Sequence, residues 1–477
     1  MTDTPSDSAP SDEDLCFLPA TELAATIRKG EVSPVEVMQA VLDRIARLNP
    51  ALNAYCTSMA DEALAEARRA AEAISGAVEL GPLHGVPVSI KDNLYVKGVR
   101  TTFGSKLMKD HVPGFDAPVV EPMRKAGAII VDRTNTPEFG WKGVTDNLVF
   151  GPTRNPWNLE LTPGGSSGGD SAAVAAGLGP IGIGTDGGGS LRIPASFCGL
   201  VGHKPSFGRV PNYPGISVGS LRHVGAMTRT VGDAALVLDV LAGPDERDPA
   251  SLPASGIEFS KEITCGIDGL RIAYSGDLGY AQVDDEVARS CEQAAMRFST
   301  AGAFVERVDL DWEDPYSCWN VLFYGRSTAR LGREVAEYGH LLDPGLRPCV
   351  EQGLKLRGID HSDALTAANE FWHKVRKLYQ RFDLLITPAL AVLPFPVGQD
   401  NANLFSDQDL RWTQFTYRFN LTGQPAASVP CGWSQSDLPI GLQIVGPRFA
   451  DALVLRAARA WEQIAPWSHL RPVVPVS

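Results

Sequence analysis

The chain has 477 residues, 44% apolar and 21% charged, which excludes disorder and fibrous structure and leaves enough length to bury a large core. Its net charge of −13, from 56 acidic against 43 basic residues, argues against a nucleic-acid partner, because phosphate binding needs basic surface. Eight cysteines lie far apart with no CxxC pair, so neither a zinc site nor a disulfide framework is implied and they read as buried free thiols.

The first fourteen residues, MTDTPSDSAPSDED, hold five acids and no base, the opposite of a signal peptide, and predict a disordered acidic tail over residues 1–15. No apolar run approaches the roughly 18 to 20 residues of a membrane span, so a cytoplasmic chain with no membrane contact is expected. Residues 16–75 predict a helical layer with helices at Pro19 to Lys29, Ser33 to Leu48 and Met59 to Ile74. The second opens on a capping box, Ser33 with Pro34 and Glu36, and is expected to stop at Asn49-Pro50. Such a layer either covers the core or offers a homodimer face.

Val86 to Ile90 reads as a short apolar strand that delivers Lys91 to its end. Apolar neighbours would hold the lysine stem in the interior, where the pKa of an amine is pushed down. A helix at Asp116 to Ala126, a strand at Ala128 to Asp132 and a loop-rich stretch from Asn135 to Asn155 follow. After residue 205, helices at Thr230 to Leu241, Asp284 to Ala301, Ser362 to Phe382 and Asp451 to Ile464 are predicted. Strands are predicted among them at Leu270 to Tyr274, Ala303 to Val308, Leu384 to Thr387, Ala426 to Pro430 and Ile440 to Val445. The alternation predicts an α/β fold with a mixed sheet, in one domain over 16–477.

Between these halves lie two serine-bearing glycine clusters, GGSSGG at Gly164 to Gly169 and TDGGGS at Thr185 to Ser190. Glycine is entropically costly to order, so a cluster signals bare backbone that something must approach. Gly182, Gly184 and Gly187 satisfy GxGxxG, but no acid follows between Gly187 and Gly232 to hold a ribose, so the dinucleotide reading fails. Gly165, Ser167 and Gly169 satisfy GxSxG, yet the preceding NPWNLELTPG is not the buried strand that a nucleophile elbow requires. A third reading joins both clusters in one site with Lys91. A neutral lysine can deprotonate a serine, and the successive N–H groups of Gly187, Gly188, Gly189 and Ser190 can hold an oxyanion.

The stretch GGSSGGD at Gly164 to Asp170 and GTDGGGSLRIPASFCGLVGHKP at Gly184 to Pro205 resembles the signature block of the amidase signature family, with Ser166 and Ser190 24 residues apart. VSIKDN around Lys91, GPTRNPWN before the block, and MTRTVGDAALVLDVLAGPD and GLQIVGPRFAD after it extend the resemblance over nearly the whole chain past the tail. The resemblance implies one large mixed sheet covered by helices on both sides, with a signature core over about 80–245. It also implies a catalytic triad of Ser190 as nucleophile, Ser166 as bridging serine after a cis peptide, and Lys91 as base. Ser167, Asp186 and Arg192 would orient the site by hydrogen bonds, and the backbone of Gly140 would face the substrate. Asp170 and His203 depart from the commoner pattern, which has serine and an apolar or aromatic residue there. Asp170 is expected in the first turn of a helix, and His203 in packing rather than catalysis.

The activity implied is hydrolysis of a small carboxamide through an acyl-enzyme, with no metal and no organic cofactor. The alternative is the amidase component of a tRNA-dependent amidotransferase. That component continues with SSLDQIGP, where Tyr213 to Met227 here reads YPGISVGSLRHVGAM. Aromatic segments at Phe139 to Trp141, Trp319 to Tyr324 and Trp412 to Phe419 are the candidate pocket walls and favour bulky apolar acyl groups.

Overall fold

Short apolar runs such as Ile129 to Val131, Ile181 to Ile183 and Leu384 to Ile386 build the interior. The structure is a computed structural model that describes residues 11–76, 79–215, 221–402 and 410–475. Among these, eleven strands pair into one sheet: β1 (Tyr55–Ser58), β2 (Pro87–Lys91), β3 (Ile129–Thr134), β4 (Ile181–Asp186), β5 (Val201–Lys204), β6 (His223–Thr228), β7 (Arg271–Tyr274), β8 (Phe304–Arg307), β9 (Leu384–Pro388), β10 (Ala426–Trp433) and β11 (Pro439–Val445). The spatial order is β1-β3-β2-β4-β6-β5-β10-β11-β9-β7-β8. β2 runs parallel to β3 and β4, β7 runs parallel to β8 and β9, and the strands from β4 through β9 pair antiparallel, so the sheet is mixed. Every residue of β2, β3, β4, β5, β6, β9 and β11 is buried, which requires cover on both faces of the sheet.

The N-terminal helices Ala20–Arg28, Pro34–Leu52 and Ala60–Ile74 supply part of that cover, sending Leu23, Ile27, Val37, Met38 and Ala63 into the main apolar core. The capping box at Ser33 forms, with Val35 N–H on Ser33 Oγ and Glu36 Oε2 on Ser33 N–H. The helix runs through Pro50 instead of stopping there. Asn49 compensates at its end, where Oδ1 accepts the N–H groups of Ala54 and Tyr55, and Asn53 turns the chain at a φ of 51°. The disordered tail expected over residues 1–15 is contradicted at its end. Its residues 1–10 lie outside the described residues, but Asp12–Phe17 is a helix capped by Ser11, with its three acids in the first turn where the helix dipole favours them.

All eight cysteines are free, and Cys265 is exposed where burial was expected. Among the described residues no helix is long and apolar enough to cross a membrane.

Candidate active site

Lys91 ends β2 and is fully buried, its strand neighbours Val88 and Ile90 likewise. Its Nζ lies 2.7 Å from Ser166 Oγ, 2.9 Å from Ser167 Oγ and 3.4 Å from Thr185 Oγ1. Among the described residues no carboxylate bonds or pairs with it, so burial dominates and pulls the amine down from its usual value to about 7. The Asp170 carboxylate opposes this shift, and the Arg222 charge adds to it.

The serines are presented by the two glycine clusters. The Gly165–Ser166 peptide is cis. Ser167 begins the turn into the helix Gly168–Ala175, and its N–H donates to the Ser190 carbonyl at 3.2 Å, which ties the two clusters together. Ser167 Oγ also donates to the Thr185 carbonyl. Ser166 and Ser190 thereby line one cavity of about 430 Å³, with Gly140 and Gly187 on its wall. Gly140 ends a 3-10 turn, Glu138–Gly140, at a φ of +71°, and a Cβ there would stand 3.1 Å from Ser166 Oγ, so glycine keeps this approach open.

The loop from Gly187 to Ser190 is fixed through its carbonyls. Trp319 Nε1 donates to the Gly187 carbonyl and Thr416 Oγ1 to the Gly188 carbonyl. Among the described residues the N–H groups of Gly187, Gly188 and Ser190 donate to no protein group. Gly189 is different and corrects the expectation of four oxyanion donors. It is buried at a φ of +131°, and its N–H is spent on Asp186 Oδ1 at 2.7 Å.

Asp186 and Arg192 are both fully buried, 2.9 Å apart at Oδ1 and Nη2. Asp186 also accepts from Leu191 N–H, Arg192 Nε and Asn420 Nδ2. Arg192 Nη1 continues to the Thr416 carbonyl and Gln443 Oε1. Burial alone would raise the Asp186 carboxyl, but the Arg192 guanidinium overrides it and holds the group below the usual carboxylate range. This network grips the start and end of the Gly187–Ser190 loop.

Asp170 sits in the first turn of its helix as expected, fully buried, with Oδ1 accepting from Ser89 Oγ at 3.2 Å; burial pushes its carboxyl up. His203 is buried in β5, away from the cavity, and burial lowers it to about 4. Among the described residues there is no group of three or more His, Cys, Asp or Glu that could hold a metal ion.

A family model described as Amidase matches residues 36–455. The chain is also 37% identical over 480 residues to an acylamidase from Rhodococcus erythropolis, covering 97% of this chain and 98% of that protein. The chain belongs to the amidase signature family and is an amide hydrolase. The structure of a bacterial aryl acylamidase of that family superposes with a TM-score of 0.90 at 32% identity, covering 95% of this chain and 97% of that one. A component of the glutamyl-tRNA(Gln) amidotransferase from Moorella thermoacetica is 36% identical over 491 residues, covering 97% of this chain and all of that protein.

In this amidase the aromatic segments divide. Phe139 and Phe323 line the cavity, and Trp319 packs beside Gly188. Trp412 and Phe415 are fully buried in an apolar cluster and belong to the core. The residues that the sequence reading missed are Thr185, which completes the shell around Lys91, and Thr416, Asn420 and Gln443, which anchor the loop. Thr185 was visible in the TDGGGS motif beside Asp186. Thr416 lies in the aromatic segment Trp412 to Phe419 and Gln443 in GLQIVGPRFAD, segments noted for their aromatics and for the family resemblance and not for these side chains, while Asn420 has no local pattern to mark it.

Proposed function

We propose that this amidase hydrolyses a carboxamide to the carboxylic acid and ammonia or an amine through an acyl-enzyme on Ser190. The observation that carries the reading is the buried Lys91 amine, which lies 2.7 Å behind the Oγ of Ser166, a residue that lines the same cavity as Ser190. With its pKa drawn down, Lys91 is largely an uncharged amine above neutral pH and can accept a proton.

Ser190 Oγ bonds to the carbonyl carbon while its proton passes through Ser166 Oγ to Lys91. The free N–H groups of Gly187, Gly188 and Ser190 hold the oxyanion, each such donor contributing about 3 kcal/mol. Ser166 then passes a proton to the leaving nitrogen, the C–N bond breaks, and an ester remains on Ser190. Water attacks that ester and gives its proton to the same relay. The ester C–O bond then breaks, Ser190 recovers its proton and the acid leaves. Ser167 and Thr185 hold the amine in place, and the Asp186–Arg192 pair fixes the loop that carries Ser190.

Replacing Ser190 by Ala tests this on a panel of aliphatic amides, aryl amides, anilides and hydrazides. Turnover is expected to vanish with the thermal unfolding midpoint unchanged. Turnover of any of them at near the original rate would overturn the assignment.

A second reading has the similarity to the amidotransferase component in its favour: a chain that acts only inside a complex. It requires copurification with a partner and no hydrolysis by the isolated chain. Hydrolysis of the panel by a chain that migrates alone on a sizing column overturns it.

A further inference from the structure

The cavity that Ser190 lines is cationic in an acidic protein. Although the chain carries a net charge of −13, the charged residues on the cavity wall are Arg222, Arg326 and Arg330, and no aspartate or glutamate among the described residues joins them. Arg326 and Arg330 come from one helix, Tyr316–Leu331, four residues apart and therefore on one face of it.

Arg330 is held over aromatic rings, its guanidinium carbon 4.3 Å from the centroids of both Phe103 and Phe139. That contact orients the group and leaves its formal charge uncancelled. Neither Arg326 nor Arg330 forms an ion pair with a described carboxylate. Arg222 Nη2 donates to the Asn93 carbonyl at 3.1 Å. Burial, and after it the like charges of Arg326 and Arg330, disfavour the charged form of Arg222. Gathering like charges around a partly desolvated cavity costs folding free energy, and an anion seated among them offsets that cost. The planar guanidinium matches a carboxylate in shape and donor spacing.

We propose that the amide substrate carries a carboxylate, which Arg326 and Arg330, with Arg222, receive in the cavity that presents Ser190. The inference rests on the reading of that cavity as the amide site. Tyr95, Phe103, Phe139 and Phe323 line the same space, so the carboxylate is joined to the amide through an aromatic or other apolar body. A cavity of about 430 Å³ suits a ligand of that size.

The test is calorimetric titration of the full chain carrying Ser190→Ala with 4-carbamoylbenzoate and with its uncharged methyl ester. The carboxylate is expected to bind at least about tenfold more tightly than the ester. In the Arg326→Gln/Arg330→Gln double variant that advantage, taken as the ratio of the two affinities, is expected to fall below about twofold, and Arg326→Lys, which keeps the charge, is expected to retain most of it. Equal or weaker binding of the carboxylate, an advantage that survives in the double variant, or equal loss with Lys and with Gln would each overturn the proposal. Hydrolysis is measured separately on the unsubstituted chain. If that chain cleaves no amide, the amide-site reading fails on that count, while the titration still decides whether the cavity takes a carboxylate.

Discussion

Two buried ionic sites lie next to each other in this amidase and have opposite designs. Around Asp186 the fold supplies backbone N–H groups, an asparagine and a bidentate arginine, so a carboxylate with no solvent contact stays charged. Around Lys91 it supplies hydroxyls from Ser166, Ser167 and Thr185, and the nearby Asp170 is itself pushed toward its neutral form by burial. The first arrangement preserves charge and the second discourages it. Equal burial thus yields a structural ion pair in one place and, on the proposed reading, a proton acceptor in the other, with hydrogen-bond supply deciding between them.

The comparison breaks most severely at Lys91. Lys91→Met is expected to lower kcat by about 10⁴-fold or more, because on the proposed reading serine, relay and base act as a unit. The unfolding midpoint should stay the same or rise. A lysine whose folded pKa is depressed weakens folding at every pH below its unfolded value, and methionine removes that penalty. A large loss of stability would show that Lys91 is structural.

Arg192→Met should do the reverse. It leaves Asp186 buried without its main partner and is expected to cost about 3–5 kcal/mol in urea unfolding, with activity falling as the loop loosens. Unchanged stability would remove the contrast between the two sites.

The pH profile sharpens the contrast further. As pH falls through about 7, Lys91 takes up its proton and kcat/KM should decline, with a plateau above. Asp170→Asn gives the smallest effect. The carboxylate raises the lysine pKa, opposed by Arg222 and assisted by Asp186, so its removal should move the acid limb to lower pH. A limb that stays in place or moves upward would exclude Asp170 as an influence on the amine.

Much of this was legible in the sequence because the features are local. The strand that ends in Lys91, both glycine clusters and the capping box at Ser33 each occupy a few consecutive residues whose chemistry has few readings. The strand at His223–Thr228 was not legible, since HVGAMT has neither alternation nor a β-branched run and is a strand because β4 and β5 flank it. The aromatics of Trp412 to Phe419 were ambiguous for the reason that aromatic residues serve cores and pockets alike. The loss of the Gly189 N–H to Asp186 could not be read from composition. TDGGGS shows the glycines, and only the loop's path decides which of them aim N–H groups at the cavity.

On the proposed reading Ser190 is a nucleophile activated by Lys91. Treatment with phenylmethanesulfonyl fluoride followed by peptide mapping tests it directly, since sulfonylation forms an O–S bond at the activated serine and expels fluoride. A single adduct on Ser190, absent in Lys91→Met, is the predicted result. An adduct on Ser166 or Ser167 in place of Ser190, or undiminished labelling in the Lys91 variant, would contradict it.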